Sequence, residues 1–505
     1  MNLDFSSSSA FLWAFVPEVV LSAWAMAVLL AGVWGRDEDR GSAEYVRALG
    51  WLAFSGLLAA GILNAWLHGT SGFDPLGIVT LDRFRLFSNW IFLLGGALAI
   101  VVSFPYVTRQ RLQAGEFYAL VLLATVGMMV MAATTNLILL FLALEMMSIA
   151  SYVLTGFNRR DRRSAEAALK YFVLGAFSSG FLLYGIALVW GATGSVNLVD
   201  IAATIEAGAG FTGLLLTGMG LLGIGFAFKV AAVPFHMWAP DVYEGAPSPS
   251  TALMAASVKA ASVIAFVRVF LVAFPALYAS WYPVIWWLAA LTMVVGNLIA
   301  LSQGSVKRML AYSSVAHGGY LLVGLAAGNQ VATAAILFYL LVYTVMTVGV
   351  FGIVMIVAKQ GEERLEIEEY AGLGAAHPLL GVLLTIFLLS LAGFPGTGGF
   401  MAKIYLLQGA VESQLWTLAV LLALTTVISY YYYLRVAWYT WMRPARQDGE
   451  WAGIAPAVSL RTALVASAAI LLLLGILPGG VLEAALTAAE GLGSPGSAVF
   501  TGQAP

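Results

Sequence analysis

Lys229 sits five residues before Pro234 in an otherwise apolar run, LLGIGFAFKVAAVPFHMWAP, from Leu221 to Pro240. An ammonium in hydrocarbon is costly, and a proline removes a helical hydrogen bond that lipid cannot replace. The run therefore reads as a broken membrane helix built around a titratable group. A carboxylate of the same kind, Glu145, lies nine residues into LILLFLALEMMSIASYVL, roughly 14 Å along a helix from its start. Burial disfavours the charged form of a lysine and a nearby carboxylate favours it, so a Glu/Lys pair whose spacing changes can take up and release a proton. The competing reading of Glu145 is a protonated or helix-paired carboxyl that serves packing alone.

Four further residues could extend this chemistry. Lys403 follows Pro395 in LSLAGFPGTGGFMAKIYLL, with snorkelling to the outer interface as its alternative. Lys259, in SVKAASVIAF, lies about 12 Å into its run and reads as a relay, or as a contact to a carbonyl freed at the Pro234 break. His317, in AYSSVAHGGYLLVG, could accept and donate at once, as a shuttle requires, or be a satisfied core histidine. Lys170 comes four residues after Glu166, the spacing of an ordinary surface pair. Arg268 and Arg435 read as snorkelling side chains, Tyr430 to Tyr433 as an interfacial belt, and His68, His236 and His377 as structural. Gly361 to Tyr370, GEERLEIEEY, reads as a solvated acidic loop.

The elements that must hold these groups are membrane helices. The 505 residues are 61% hydrophobic and 10% charged, with mean hydropathy +0.91, too apolar for a soluble protein of this length. The net charge of −2 gives no hint of nucleic acid, and zero cysteines exclude disulfides and cysteine-ligated iron–sulfur clusters within this chain. No metal-ligand cluster, P-loop or catalytic triad is present. Gly218, Gly220 and Gly223 spell GxGxxG, but with no strand before them they read as helix-packing glycines. The run Phe11 to Trp34 has 24 residues and fits a retained spanning helix better than a signal peptide.

Fourteen apolar runs, numbered here as spans 1 to 14, start near Leu12, Ala48, Leu86, Phe117, Leu137, Tyr171, Phe211, Thr251, Trp281, Met309, Val331, Leu379, Leu415 and Leu460. With the N-terminus outside, the cytoplasmic loops would hold 16 of the 24 basic residues: Arg36, Arg40, Arg47, Arg109, Arg111, Arg159, Arg160, Arg162, Arg163, Lys307, Arg308, Lys359, Arg364, Arg443, Arg446 and Arg461. The outer loops would hold only Arg83 and Arg85. That asymmetry fixes the expected orientation.

Two runs are too long for one straight helix: Phe211 to Trp238, with Pro234 inside, and Leu379 to Ala410, with Pro395 among four glycines. Broken helices at matching places in two halves point to an inverted-repeat transporter with its site at the breaks. Spans 4–8 and 9–13 form two five-helix units in which the broken spans 7 and 12 are each fourth, and an odd number per unit turns the second copy over. The expected architecture is all-α and polytopic: a three-helix segment at 1–115, the first unit at 116–275, the inverted second unit at 276–442, and a C-terminal helix and tail at 443–505.

Five stretches carry a resemblance to a known family. PEVVLSAWAMAVLL from Pro17, FLALEMMSIASYVLTGFNRRDRRSAEAALKYFVLGAFSSGFLLYGIALVWGATGS from Phe141, FKVAAVPFHMWAPDVYEGAPSPSTALMAASVKAA from Phe228, SVKRMLAYSSVAHGGYLLVGL from Ser305 and LSLAGFPGTGGFMAKIYLL from Leu389 resemble the N subunit of proton-translocating NADH:quinone oxidoreductase, complex I. The resemblance covers roughly residues 10 to 480. It implies a fourteen-helix antiporter-like subunit of the membrane arm, with Glu145 and Lys229 as the first-unit pair, Lys259 as the connecting residue and Lys403 as the terminal lysine. It also places His317 on the charged axis and Lys170 in the LKY segment. The sister M subunit would carry glutamate at Lys403, and the L subunit would continue into a long lateral helix where only 28 residues follow Leu477.

The resemblance further implies a bacterial plasma membrane location, membrane lipids around the chain, and the M subunit and small membrane subunits as neighbours. NADH, FMN, iron–sulfur clusters and quinone would be bound by other subunits, with no cofactor or metal in this chain. The alternative is a subunit of a multi-subunit cation/proton antiporter without redox activity.

Overall fold

The computed structural model describes residues 12–34, 42–70, 77–208, 210, 212–358, 363–445, 451 and 457–492. Arg36, Arg40, Lys359 and Arg446 of the loop census lie outside them, as do the first ten residues, Phe211 and most of the C-terminal tail.

Among the described residues, thirteen helices are long and apolar enough to cross a membrane. They are spans 1 to 6 (Val16–Trp34, Ala43–Leu67, Arg83–Arg109, Ala114–Ala133, Leu137–Thr155, Arg162–Thr193), span 7 (Thr212–Lys229), spans 8 to 11 (Ser248–Ala273, Pro275–Leu301, Val306–Ala327, Gln330–Ile356) and spans 13 and 14 (Trp416–Met442, Val458–Ile476). The expected fourteenth traverse is span 12, which is two 15-residue helices, Pro378–Ala392 and Gly398–Glu412. Span 7 likewise stops at Lys229, and the chain resumes as the short helix Trp238–Gly245. Both breaks fall where proline and glycine placed them.

Each break has a backbone reason. After Lys229, Ala231 takes a positive φ and the Val233–Pro234 peptide is cis. The Phe228 carbonyl accepts from the Ala231 amide and from Trp238 Nε1, each at 3.0 Å, and the Val233 amide donates to Thr292 of span 9 at 2.9 Å. In span 12, Gly393 (φ 81°) caps the first half and Gly396 (φ 87°) turns the chain, conformations that a Cβ would strain. The Gly393 carbonyl accepts from Tyr430 at 3.0 Å.

In lipid the helices meet through small residues rather than through water exclusion. A Cβ on Gly127 of span 4 would meet the Met147 amide of span 5 at 2.8 Å, and one on Gly296 of span 9 would meet the Ala316 amide of span 10 at the same distance. The first pair in each five-helix unit thus closes the same way. Gly218 of the GxGxxG packs on Gly185 of span 6, whereas Gly220 has nothing within 4 Å. Spans 8, 10 and 11 form the interior, and spans 1, 6, 13 and 14 present most of their surface outward.

Two elements escaped the sequence reading: an amphipathic helix, Leu198–Glu206, between spans 6 and 7, and a helix, Gly479–Leu492, packed on spans 3 and 11. The acidic loop is also more ordered than expected. Glu363 accepts from Lys307 at 2.7 Å and from the Ser248 amide, Arg364 lies over the Trp451 ring, and Ile367–Tyr370 is a 3₁₀ turn.

Candidate functional site

Lys229, the last residue before the break in span 7, is 5% exposed. Its ammonium donates to Ser148 Oγ at 2.7 Å and Tyr152 Oη at 3.3 Å, both on span 5. Glu145, Ser148 and Tyr152 follow i, i+3, i+7 spacing and so share one helix face. The carboxylate of Glu145 is turned to span 6, where Ser179 Oγ donates to it at 2.5 Å. The expected pair is therefore on one stripe, with Ser148 as the present acceptor and Glu145 one helical turn along it.

Lys259, 2% exposed, opens the regular part of span 8 directly after a π-helical turn at Met254–Val258, a distortion often found at functional sites. Its ammonium donates to the carbonyl and the Oγ of Ser314 in span 10, each at 2.5 Å. Its partner is thus a mid-helix serine rather than a carbonyl of the Pro234 break. Gly318, one turn on, leaves the room: a Cβ there would lie 3.0 Å from the Val230 carbonyl and 4.0 Å from the Lys259 nitrogen.

His317, 1% exposed, occupies the next face of span 10. Nδ1 is 2.5 Å from Tyr339 Oη and Nε2 is 3.1 Å from Tyr433 Oη. Tyr432 and Tyr433 are therefore core residues rather than an interfacial belt; Tyr432 donates to Asn297 at 2.9 Å, and Asn297 donates to Tyr320. Among Tyr430 to Tyr433, Tyr431 alone is exposed.

Lys403, 3% exposed, does not snorkel. It donates to the Leu391 and Ala392 carbonyls at 3.2 and 2.8 Å, the acceptors set free where the first half of span 12 ends. It also lies over the Tyr320 ring at 5.0 Å. A helix C-terminus is the negative end of its dipole and suits an ammonium.

Lys170 is placed differently, 43% exposed, bridging Glu166 at 2.7 Å and Asp241 at 2.9 Å. Arg308 joins the cluster through Asp241 and Glu244. Partial burial pushes the Asp241 carboxyl up, but hydrogen bonds and positive charge from Lys170 and Arg308 outweigh it and hold it below the usual carboxylate value. Arg268 is a correction: it is buried and clamps Asp82 with two bonds of 2.7 and 2.9 Å. Arg85 is buried as well, donating to Glu18 at 2.8 Å and to the Ala14 carbonyl at 2.7 Å.

The sequence model of the family described as NADH:quinone oxidoreductase/Mrp antiporter, TM, matches residues 134–429, which contain Glu145, Lys170, Lys229, Lys259, His317 and Lys403. NADH-quinone oxidoreductase subunit N of Trichlorobacter lovleyi is 47% identical over 94% of this chain and 96% of its own length. The chain belongs to the NADH-quinone oxidoreductase subunit N family. A chain of respiratory complex I from Thermus thermophilus, solved with bound aureothin, superposes with TM-score 0.77 at 35% identity, over 93% of this chain and 99% of that one. A chain of the Mrp complex from Dietzia sp. reaches TM-score 0.80 at 23% identity, over 95% and 98%. That second likeness is one of fold.

In this subunit N family member, sequence reasoning found the charged residues of the buried line and missed their neutral partners. Ser148, Ser314, Tyr339 and Tyr433 carry no charge to mark them in an apolar run. One signal was present: Ser313 and His317 stand at i, i+4, as do Tyr339 and Tyr343, which puts each pair on one helix face.

Proposed function

We propose that this chain is a proton-translocating membrane subunit of a respiratory NADH:quinone oxidoreductase. It would work in the bacterial plasma membrane with its N-terminus outside, beside the M subunit and the small membrane subunits. NADH, flavin, iron–sulfur clusters and quinone would be held by other subunits. The first five-helix unit, 116–275, would supply one broken helix and two buried lysines to the path, and the second, 276–442, one broken helix, one buried lysine and His317.

The observation that carries this reading is the buried line itself. Lys229, Lys259, His317 and Lys403 are each sequestered from solvent, and each is bonded to a neutral acceptor rather than to a carboxylate. A buried ammonium without a counter-ion can release its proton when its surroundings change, whereas a tightly paired one would be held charged. Lys229 has two stations on one stripe of span 5. At Ser148 it has a neutral acceptor, and at Glu145, one turn away, it would gain a counter-ion. A displacement of the break at Pro234, driven from a neighbouring subunit, would move it between them and change its proton affinity. The proton would pass through Lys259 and His317 to Lys403, and Lys170 with Asp241 would form the cytoplasmic uptake cluster.

The test is Lys229→Met in the intact complex, which keeps the length of the side chain and removes the charge. Assembly at parental yield with strongly depressed coupled NADH oxidation and proton uptake into vesicles is the expected result. Parental pumping in that variant would reject the assigned role. Sodium- or potassium-dependent proton movement without NADH would point to the exchanger reading instead.

A further inference from the structure

We infer that Tyr433 of span 13 is a relay residue in its own right, carrying the proton between span 10's serine pair and His317, with Tyr339 of span 11 as the receiving phenol on the far side. This rests on the proton-path reading above and names members of that path which carry no charge.

Span 10 offers two adjacent faces to two different neighbours. Ser314 and Gly318, four apart, face Lys259, whose ammonium is bonded to Ser314. Ser313 and His317, also four apart, face Tyr433, whose hydroxyl is hydrogen-bonded to Ser313 Oγ and lies 3.1 Å from His317 Nε2. The other ring nitrogen is 2.5 Å from Tyr339 Oη. His317 is thus held at both nitrogens by phenols from two different helices. All four side chains are buried, so these bonds have no bulk water to replace them. A histidine retained for packing needs one partner to fix its tautomer; two hydroxyls at opposite nitrogens make a continuous donor–acceptor chain.

The step balances as follows. With Nδ1 carrying the hydrogen, Nε2 is the acceptor. A proton arriving at Ser313 Oγ lets that hydroxyl pass its own hydrogen to Tyr433 Oη, while the Tyr433 O–H bond breaks and an Nε2–H bond forms. The phenol stays neutral throughout. The imidazolium then releases its Nδ1 hydrogen to Tyr339 Oη, which passes its own hydrogen onward, and the neutral ring is left with its hydrogen on Nε2.

The experiment uses the intact complex reconstituted in vesicles, with proton uptake measured per NADH oxidised. Tyr433→Phe keeps the ring and its packing and removes the hydroxyl. It should lower proton uptake about a hundredfold, the low end of what a positioned proton-transfer group contributes, with assembly unchanged. Tyr278→Phe, which deletes a hydroxyl bonded to the Ala326 carbonyl away from the line, should pump at the parental rate. Because loss of a hydroxyl could also act through packing, a fluorinated tyrosine at position 433 supplies a second readout: it preserves the bonds but makes the phenol more acidic. The maximal rate of pumping should change with it. An unchanged rate with the fluorinated residue, or parental pumping by Tyr433→Phe, overturns the proposal. If those results come with pumping abolished in Lys229→Met and Lys403→Met, the path stands and only the phenol relay fails. If Lys403→Met also pumps normally, the path itself is wrong.

Discussion

The serine beside Lys229 matters as much as the lysine. Ser148 is the nearest acceptor for an ammonium that has no anionic partner within bonding distance, and a hydrogen bond to a charged group contributes about 1.5 to 3 kcal/mol. Ser148→Ala removes one of the two stations and leaves Tyr152 and Glu145 to hold the charge. The ammonium should then settle at Glu145, and proton uptake per NADH oxidised should fall about tenfold, since 1.4 kcal/mol corresponds to a factor of ten. Adding Glu145→Gln should lower it further. Uptake at the parental rate in Ser148→Ala would show that Ser148 is no station of the path. A lysine or glutamate in a run such as FLALEMMSIASYV stands out against its surroundings, so the ends of these bonds were readable in the sequence. Their serine and tyrosine partners were not, because a hydroxyl in a membrane helix can equally bond its own i−4 carbonyl, as Ser151 does at Met147.

Between elements, buried charges tie spans 1 and 3 to span 8. Asp82 caps span 3 through the Arg85 amide at 2.7 Å and receives both terminal nitrogens of Arg268 from span 8, while Arg85 reaches back to Glu18 of span 1. From the sequence, Arg268 reads as a snorkelling side chain. Nothing in one chain's letters joins positions 186 residues apart, so a clamp looked like snorkelling. By contrast, the breaks of spans 7 and 12 were legible because proline and glycine act locally. The π-turn before Lys259 was not, since MAASV contains no residue that demands one. Removing one partner of a buried pair costs about 3 to 5 kcal/mol, whereas replacing both with apolar side chains is often neutral. Asp82→Leu should therefore lower the thermal stability of the purified complex, and Asp82→Leu with Arg268→Leu should recover most of it. A double variant no more stable than Asp82→Leu alone would mean that the clamp acts through the helix cap and not through the charge pair.

For the whole molecule, the inverted-repeat reading and the direction of proton movement both depend on which side of the membrane each loop faces. Fourteen traverses with span 12 in two halves put 159–163 and 198–206 on opposite sides, because span 6 lies between them. The basic residues concentrate on the first side, which is the cytoplasmic one in the proposed orientation. The chain has no cysteine, so a single introduced thiol reports its own position without background. Arg160 and Glu206 are both exposed and neither belongs to the buried line. In whole cells a membrane-impermeant maleimide should label Glu206→Cys directly and reach Arg160→Cys only after permeabilisation. The reverse pattern would invert the molecule, placing the Lys170, Asp241 and Arg308 cluster outside, where it would serve release of the proton and not its uptake. Equal labelling of both from one side would mean that span 6, despite its 32 residues, does not cross, and the two five-helix units could then not be inverted copies.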